Sequence, residues 1–265
     1  MVNLFGRRLY KYVISHKKES FYAVHYGKYM VLFYCSLSGV FCQIYIKNGD
    51  VMLYSKTIIY SLEIIGTIAF AFSGAMLGIK RKMDILGVIV LGITTAVGGG
   101  LIRDVILDRT PPNMFVYPSY TIIAIFTSVS IFLLVYKKKD IIFDKYKQKY
   151  ERILTMMDSL GLGAFTVLGI NTAIELKYES NYFLMIFVGV ITGVGGGLLR
   201  DVMAGVKPYI FVKHVYATAS IVGAIITVIL NNFFGKSVGM IFGAMTIVII
   251  RYFAIKYDWN LPKIS

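Results

Sequence analysis

Two stretches of this chain set the same charged pair behind three glycines. Thr94-Thr95-Ala96-Val97-Gly98-Gly99-Gly100-Leu101-Ile102-Arg103-Asp104-Val105 matches Ile191-Thr192-Gly193-Val194-Gly195-Gly196-Gly197-Leu198-Leu199-Arg200-Asp201-Val202, at an offset of 97 residues. Both copies lie in long apolar runs. A charge in hydrocarbon costs at least about 2.5–3.5 kcal/mol unless it is paired or hydrated. Arg103-Asp104 and Arg200-Asp201 therefore read in two ways. They are neutralising pairs, or they are the polar lining or gate of a water-filled path. Adjacent residues point to different sides of a helix, which leaves each Arg free to pair across to the other half's Asp.

The glycines also read in two ways. Each weakens a helix by about 0.8–1 kcal/mol relative to alanine, and backbone freed by a break in lipid must find partners in protein or water. Gly98, Gly99 and Gly100 match Gly195, Gly196 and Gly197 in place, and glycine-interrupted helices at corresponding positions point to a transport path. The other reading is packing. Gly92, Ala96 and Gly100, then Gly189, Gly193 and Gly197, then Gly235, Gly239 and Gly243 repeat every four residues, a spacing that lets helices approach closely. Permeation or gating is the expectation for the triplets. Packing, with a subunit interface as one option, is the expectation for the last set.

Further polar residues fall in the same apolar runs. Glu63 and Asp158 lie near the start of corresponding helices, where a carboxylate attracts cations or caps a neighbour. Ser73, Thr94, Thr95, Asn171 and Thr192 are candidates for the lining of the same path, although Ser and Thr also satisfy helix carbonyls. Nothing points to an enzyme. His16, His25 and His214 are scattered, Cys35 and Cys42 share one stretch, and no nucleophile–base set is visible. Gly98–Gly100 lacks the Lys-Ser/Thr of a phosphate-binding loop. No metal or cofactor is expected.

The elements that must position these residues are membrane helices. The 265 residues are 57% hydrophobic and 16% charged, against about a quarter charged in soluble domains. A span needs about 20 apolar residues, and seven segments qualify: 57–79, 83–107, 116–136, 153–175, 181–204, 210–231 and 235–255. The net charge of +14 sits in short clusters between these runs, which excludes a nucleic-acid partner. An eighth run, Tyr29 to Ile46, is an extra span, an uncleaved signal-anchor, or part of an extension ahead of a start at Met52.

The organisation is thus an N-terminal extension (1–52) and a first three-helix repeat (53–136). A basic loop (137–152), a second repeat (153–231) and a last helix with its tail (232–265) follow. Three helices return the chain to the other side, so the second copy is inserted upside down. The fold class is an all-α integral membrane bundle of seven helices, from two inverted three-helix repeats plus one. Lys80, Arg81, Lys82, seven basic residues of 137–152, Lys207, Lys213, Arg251, Lys256 and Lys263 fall on one side, against Lys47, Lys56, Arg109, Lys177 and Lys236 on the other. This bias places the C-terminus in the cytoplasm. The 137–152 loop is expected against anionic lipid headgroups, or as a plain topological anchor.

The paired Gly-Gly-Gly-Leu-x-Arg-Asp-Val segments, Ser73-Gly74-Ala75 and the three-plus-three-plus-one helix count resemble the bacterial branch of the trimeric intracellular cation (TRIC) channel family, also described as a glycine-transporter domain family. The resemblance covers about 53–255. It implies a homotrimer in the bacterial inner membrane, with one pathway per subunit for a monovalent cation such as potassium. The gates would lie at glycine kinks of the second and fifth helices. The basic lipid-binding motif of animal members has no clean counterpart here. Two other readings stand beside the channel. One is a carrier for glycine or a similar zwitterion, held at a half-helix N-terminus opened by a glycine break. The other is a scaffold that transports nothing.

Overall fold

The protein is described from a computed structural model that covers residues 11–16, 19–26, 29–36, 42–47, 49–137, 147–212 and 215–259, with side chains placed for 56–137, 151–211 and 215–259. The chain divides into two units, Met1–Ile58 and Ile59–Ser265. In the first, strands β1 (Lys11–His16), β2 (Glu19–Tyr26), β3 (Tyr29–Ser36) and β4 (Cys42–Lys47) pair antiparallel in the order β1-β2-β3-β4. Lys11 faces Val24, Glu19 faces Ser36, and Cys35 faces Cys42. The extra span over Tyr29 to Ile46 is therefore not what forms: the run splits into β3 and β4. Its Tyr, Phe and Val residues favour strands, and neither piece reaches spanning length as a helix.

The second unit is helical. Its elements are α1 (Gly49–Lys80), α2 (Ile85–Ile106), α3 (Asn113–Val116), α4 (Ser119–Lys137), α5 (Lys147–Glu175), α6 (Tyr182–Met203), α7 (Tyr209–Val212), α8 (Tyr216–Phe234) and α9 (Lys236–Lys256). Among the described residues, seven helices are long and apolar enough to cross a membrane. They correspond one for one to the expected segments. The starts of the third helix in each half differ, for one reason. The short helices α3 and α7 occupy the stretches after α2 and α6, behind Pro112 and Pro208. The third helix of each half consequently starts at Ser119 and Tyr216. The basic loop is also shorter than expected, since α5 already begins at Lys147; residues 138–146 lie outside the described ones.

The duplication extends into details that set the fold. Asp84 Oδ1 accepts from Gly87 N at 2.7 Å to start α2, and Asn181 Oδ1 accepts from Leu184 N at 3.0 Å to start α6. Each cap satisfies one otherwise orphaned helix N–H. Phe70 of α1 and Phe165 of α5 hold matching places and stack on each other at 5.2 Å. Gly66 faces Phe165, and Gly161 faces Phe70. Reciprocal contacts of this kind, residue i to j′ and i′ to j, are what a twofold relation produces.

Polarity is arranged for lipid. Asp158, Arg200, Asp201 and Arg251 are fully buried, while Phe126 and Phe183 are 75% and 80% exposed. Hydroxyls of Thr94, Thr95, Ser128, Thr166, Thr192 and Thr227 donate to the carbonyl four residues back. Helix α9, outside the duplication, packs on α8: Gly239 and Gly243 face Asn231 and Thr227. Gly239 and Gly243 of the last glycine set therefore pack within the chain. Gly235 takes no part in it, lying at φ 87° in the turn between the two helices.

Candidate functional site

Helices α2 and α6 cross at their glycine triplets. A Cβ at Gly99 would fall on the Thr192 carbonyl oxygen, and one at Gly196 on the Thr95 carbonyl oxygen. Flanking glycines are engaged in the same reciprocal way. A Cβ at Gly98 would come 2.7 Å from Leu199 Cδ1, and one at Gly195 would come 3.1 Å from Ile102 Cδ1. The third glycines differ: Gly100 and Gly197 look toward the Arg side chains of their own halves. Both helices run unbroken from Ile85 to Ile106 and from Tyr182 to Met203. The expected break, with its half-helix N-terminus, does not form. Close packing of the two backbones explains why: a larger residue would clash at the crossing, so glycine is needed there without any loss of helix.

Behind Gly197 lies a sealed cluster. Arg200 Nε donates to Asp201 Oδ1 at 2.9 Å, and Arg200 Nη1 donates to both Asp158 Oδ1 and Ser73 Oγ. Ser73 Oγ lies 3.3 Å from Asp158 Oδ1. Asp201 Oδ2 accepts from Tyr209 N at 2.8 Å, which anchors α7. The Arg200 guanidinium sits 5.1 Å from the Tyr209 ring centroid. Burial raises the Tyr209 phenol above its ordinary range, so it is neutral. Helix α9 adds Arg251, fully buried, with Nε donating to Ser159 Oγ at 3.2 Å and its guanidinium 4.9 Å from the Tyr216 ring. Two carboxylates and two guanidiniums thus offset each other out of water.

The first half builds the same frame and leaves it open. Arg103 Nε donates to Asp104 Oδ1 at 2.8 Å, and Asp104 Oδ2 accepts from Asn113 N at 2.6 Å, which anchors α3. Glu63, at the place of Asp158, instead accepts from the Tyr120 hydroxyl. Leu168 takes the place of Ser73 and offers Arg103 no hydroxyl. A polar cavity of about 240 Å³ results, lined by Glu63, Arg103, Arg109, Asn113, Asn171 and Glu175 among others. A smaller adjoining one, about 50 Å³, shares Glu63, Arg103, Asn113, Tyr120 and Leu168 and reaches Thr67, Ala96 and Gly100.

Each Arg is therefore paired with its own neighbour, and the expected exchange between halves does not occur. The Arg stem is long enough to fold back along its helix, and each Asp is pinned by the short helix that follows. The links between halves in this cluster run through Ser73, to Arg200 and to Asp158. Ser73 and Asp158 join Arg200, while Glu63 and Asn171 join the cavity beside Arg103. Thr94 and Thr192 join neither; their hydroxyls go to Val90 and Val188 carbonyls. Sequence reasoning missed Tyr120, Arg109, Glu175 and Tyr216. It also missed Arg251, which it counted as a cytoplasmic flank. The available signal was that Arg251 is the sole charge between Lys236 and Lys256.

A family model described as glycine transporter matches residues 60–136 and 155–232, one copy on each half. The UPF0126 inner membrane protein YadS of Escherichia coli (strain K12) is 37% identical over 210 residues, covering 78% of this chain and 97% of that protein. The UPF0126 membrane protein YvgT of Bacillus subtilis (strain 168) is 32% identical over 205 residues, with 77% and 95% covered. Among solved structures, a prokaryotic TRIC channel in 0.5 M KCl superposes with a TM-score of 0.70 at 30% identity, covering 78% of this chain and all of that one. A TRIC trimeric intracellular cation channel orthologue from Rhodobacter sphaeroides gives 0.67 at 29% identity, covering 77% of this chain and 100% of that one.

Proposed function

The chain belongs to the glycine-transporter family of membrane proteins, and from that premise we propose that it is a channel for monovalent cations, potassium foremost. One observation carries the reading: the polar cavity beside Arg103 shares five lining residues with a smaller one that Gly100, next to the glycine crossing of α2, helps to line. Carboxylates of Glu63 and Glu175 attract cations at its mouth, and the crossing is the constriction that must move. Gating is assigned to Gly98–Gly100 and Gly195–Gly197, with Arg103, Asp104, Arg200 and Asp201 holding the two ends. The solved relatives named as TRIC cation channels support both this reading and a homotrimer with one path per subunit. The assembly would sit in a bacterial inner membrane, in contact with lipid headgroups. The Lys/Arg bias supports a cytoplasmic C-terminus.

The description of the family model favours a second reading, a carrier for glycine or a similar small zwitterion. Its expected half-helix site is missing, since α2 and α6 run unbroken. Planar bilayers separate the two. The channel reading expects unitary potassium currents that persist at fixed voltage. Absence of currents from protein that takes up labelled glycine with saturation contradicts it.

A further inference from the structure

We propose that Arg109 sets the rate at which cations enter the path, as a positive charge held in the cavity mouth by the turn that ends α2. The inference rests on the cation-channel reading and adds to it the residue that limits entry.

Both halves end the glycine-bearing helix in the same way. Asp108 takes φ 53° and Gly205 takes φ 62°. Arg109 N donates to the Asp104 carbonyl at 2.8 Å, and Val206 N donates to the Asp201 carbonyl at 2.9 Å. Inside those bonds, Asp108 N donates to the Val105 carbonyl at 3.3 Å and Gly205 N to the Val202 carbonyl at 3.1 Å. Such a nested pair closes a helix C-terminus, and the residue after the left-handed one is frequently apolar and packs back on the structure. Val206 does so, against the cluster of Leu77, Leu91 and Ala204. Arg109 stands at the corresponding place, 97 residues earlier, and lines the polar cavity of about 240 Å³ instead. One backbone turn thus delivers an apolar seal in the second half and a charge in the first.

That charge has no internal partner. Arg103 is matched by Asp104 in the cavity wall. Arg109, partly exposed, forms no ion pair and no side-chain hydrogen bond among the described residues. A guanidinium keeps its proton at any working pH. It shares the cavity with the carboxylates of Glu63 and Glu175, so two groups draw a cation in and one opposes it. The balance favours cations, at a strength that Arg109 reduces. Lining charge of one sign changes local ion concentration and on-rates by about 10–10³, and the effect falls with ionic strength.

Unitary potassium currents of the full-length protein in planar bilayers test this. They are compared at about 0.01 M and about 1 M KCl, where the screening length is about 30 and about 3 Å. Arg109→Gln is expected to raise conductance severalfold, up to about tenfold, in low salt and to leave it nearly unchanged in high salt. A merely structural role would lower conductance at both. Arg109→Lys, which keeps the charge, is expected to restore the conductance of the unaltered protein. Lys236→Gln removes an exposed charge outside the cavity and is expected to change nothing. Unchanged or lower conductance of Arg109→Gln in low salt, the same rise in Arg109→Lys or Lys236→Gln, or an equal rise at both salt concentrations overturns the proposal and leaves the channel standing. Absence of currents from every form overturns the channel reading and this inference with it.

Discussion

The two halves share a frame and differ in what fills it. In the second half Arg200 is fully buried and engages Asp201, Asp158 and Ser73, with Arg251 of α9 closing over Tyr216 beside it. In the first, Arg103 engages Asp104, while Glu63 turns to Tyr120 and Leu168 replaces Ser73. The duplication has no second α9 to cover that side. A three-helix repeat thus fixes where the charged pairs sit, and the substitutions around it decide whether each end is a seal or a cavity.

The largest expected contrast is between the two carboxylates. Asp158→Asn leaves the buried Arg200 with one carboxylate fewer, and removing a partner from a buried pair costs about 3–5 kcal/mol. Glu63→Gln keeps a hydrogen-bonding oxygen for Tyr120 and should cost about 1 kcal/mol or less. Unfolding of both variants in detergent measures the difference; equal losses would erase the distinction between seal and cavity.

The third glycines come next. A Cβ at Gly197 meets the Tyr216 hydroxyl at 3.0 Å, whereas at Gly100 the nearest atom is Arg103 Nη2 at 3.7 Å. Gly197→Ala is expected to destabilise by about 1–3 kcal/mol through overpacking. Gly100→Ala should stabilise by up to about 1 kcal/mol through helix propensity. The same sign for both would show that the halves are equally tight.

The smallest contrast lies in adjacent residues at the end of α1. Arg81 donates to the carbonyls of Ala204 and Gly205 at 2.9 and 2.7 Å, tying α1 to the end of α6. Lys80 pairs with Glu151, both partly exposed. Arg81→Ala should cost about 1–1.5 kcal/mol, and Lys80→Ala about 0.2–1 kcal/mol. A larger loss for Lys80→Ala, read from the same melting curves, would contradict the role given to Arg81.

The spans and the duplication were legible because both write themselves in long stretches: apolar runs of spanning length, and a twelve-residue match. The partners of the charged pairs were not. Spacing puts Arg103 and Asp104 on different sides of a helix, yet it says nothing of how far an Arg stem bends back. The helices α3 and α7 are four residues each, too short to show a period, and they pin the Asp side chains. Arg251 was hidden by proximity to Lys256, which made an internal charge look like a flank. The run from Tyr29 to Ile46 carried hydropathy without helical length, and its described residues form β3 and β4.

Potassium efflux from proteoliposomes tests the central claim most directly, comparing the unaltered protein with Gly99→Leu and Gly196→Leu. The crossing of α2 and α6 leaves no room for a side chain at either glycine, so efflux through the unaltered protein and none through either properly inserted variant is expected. Efflux at the original rate in both variants would contradict a pathway at the glycine crossing.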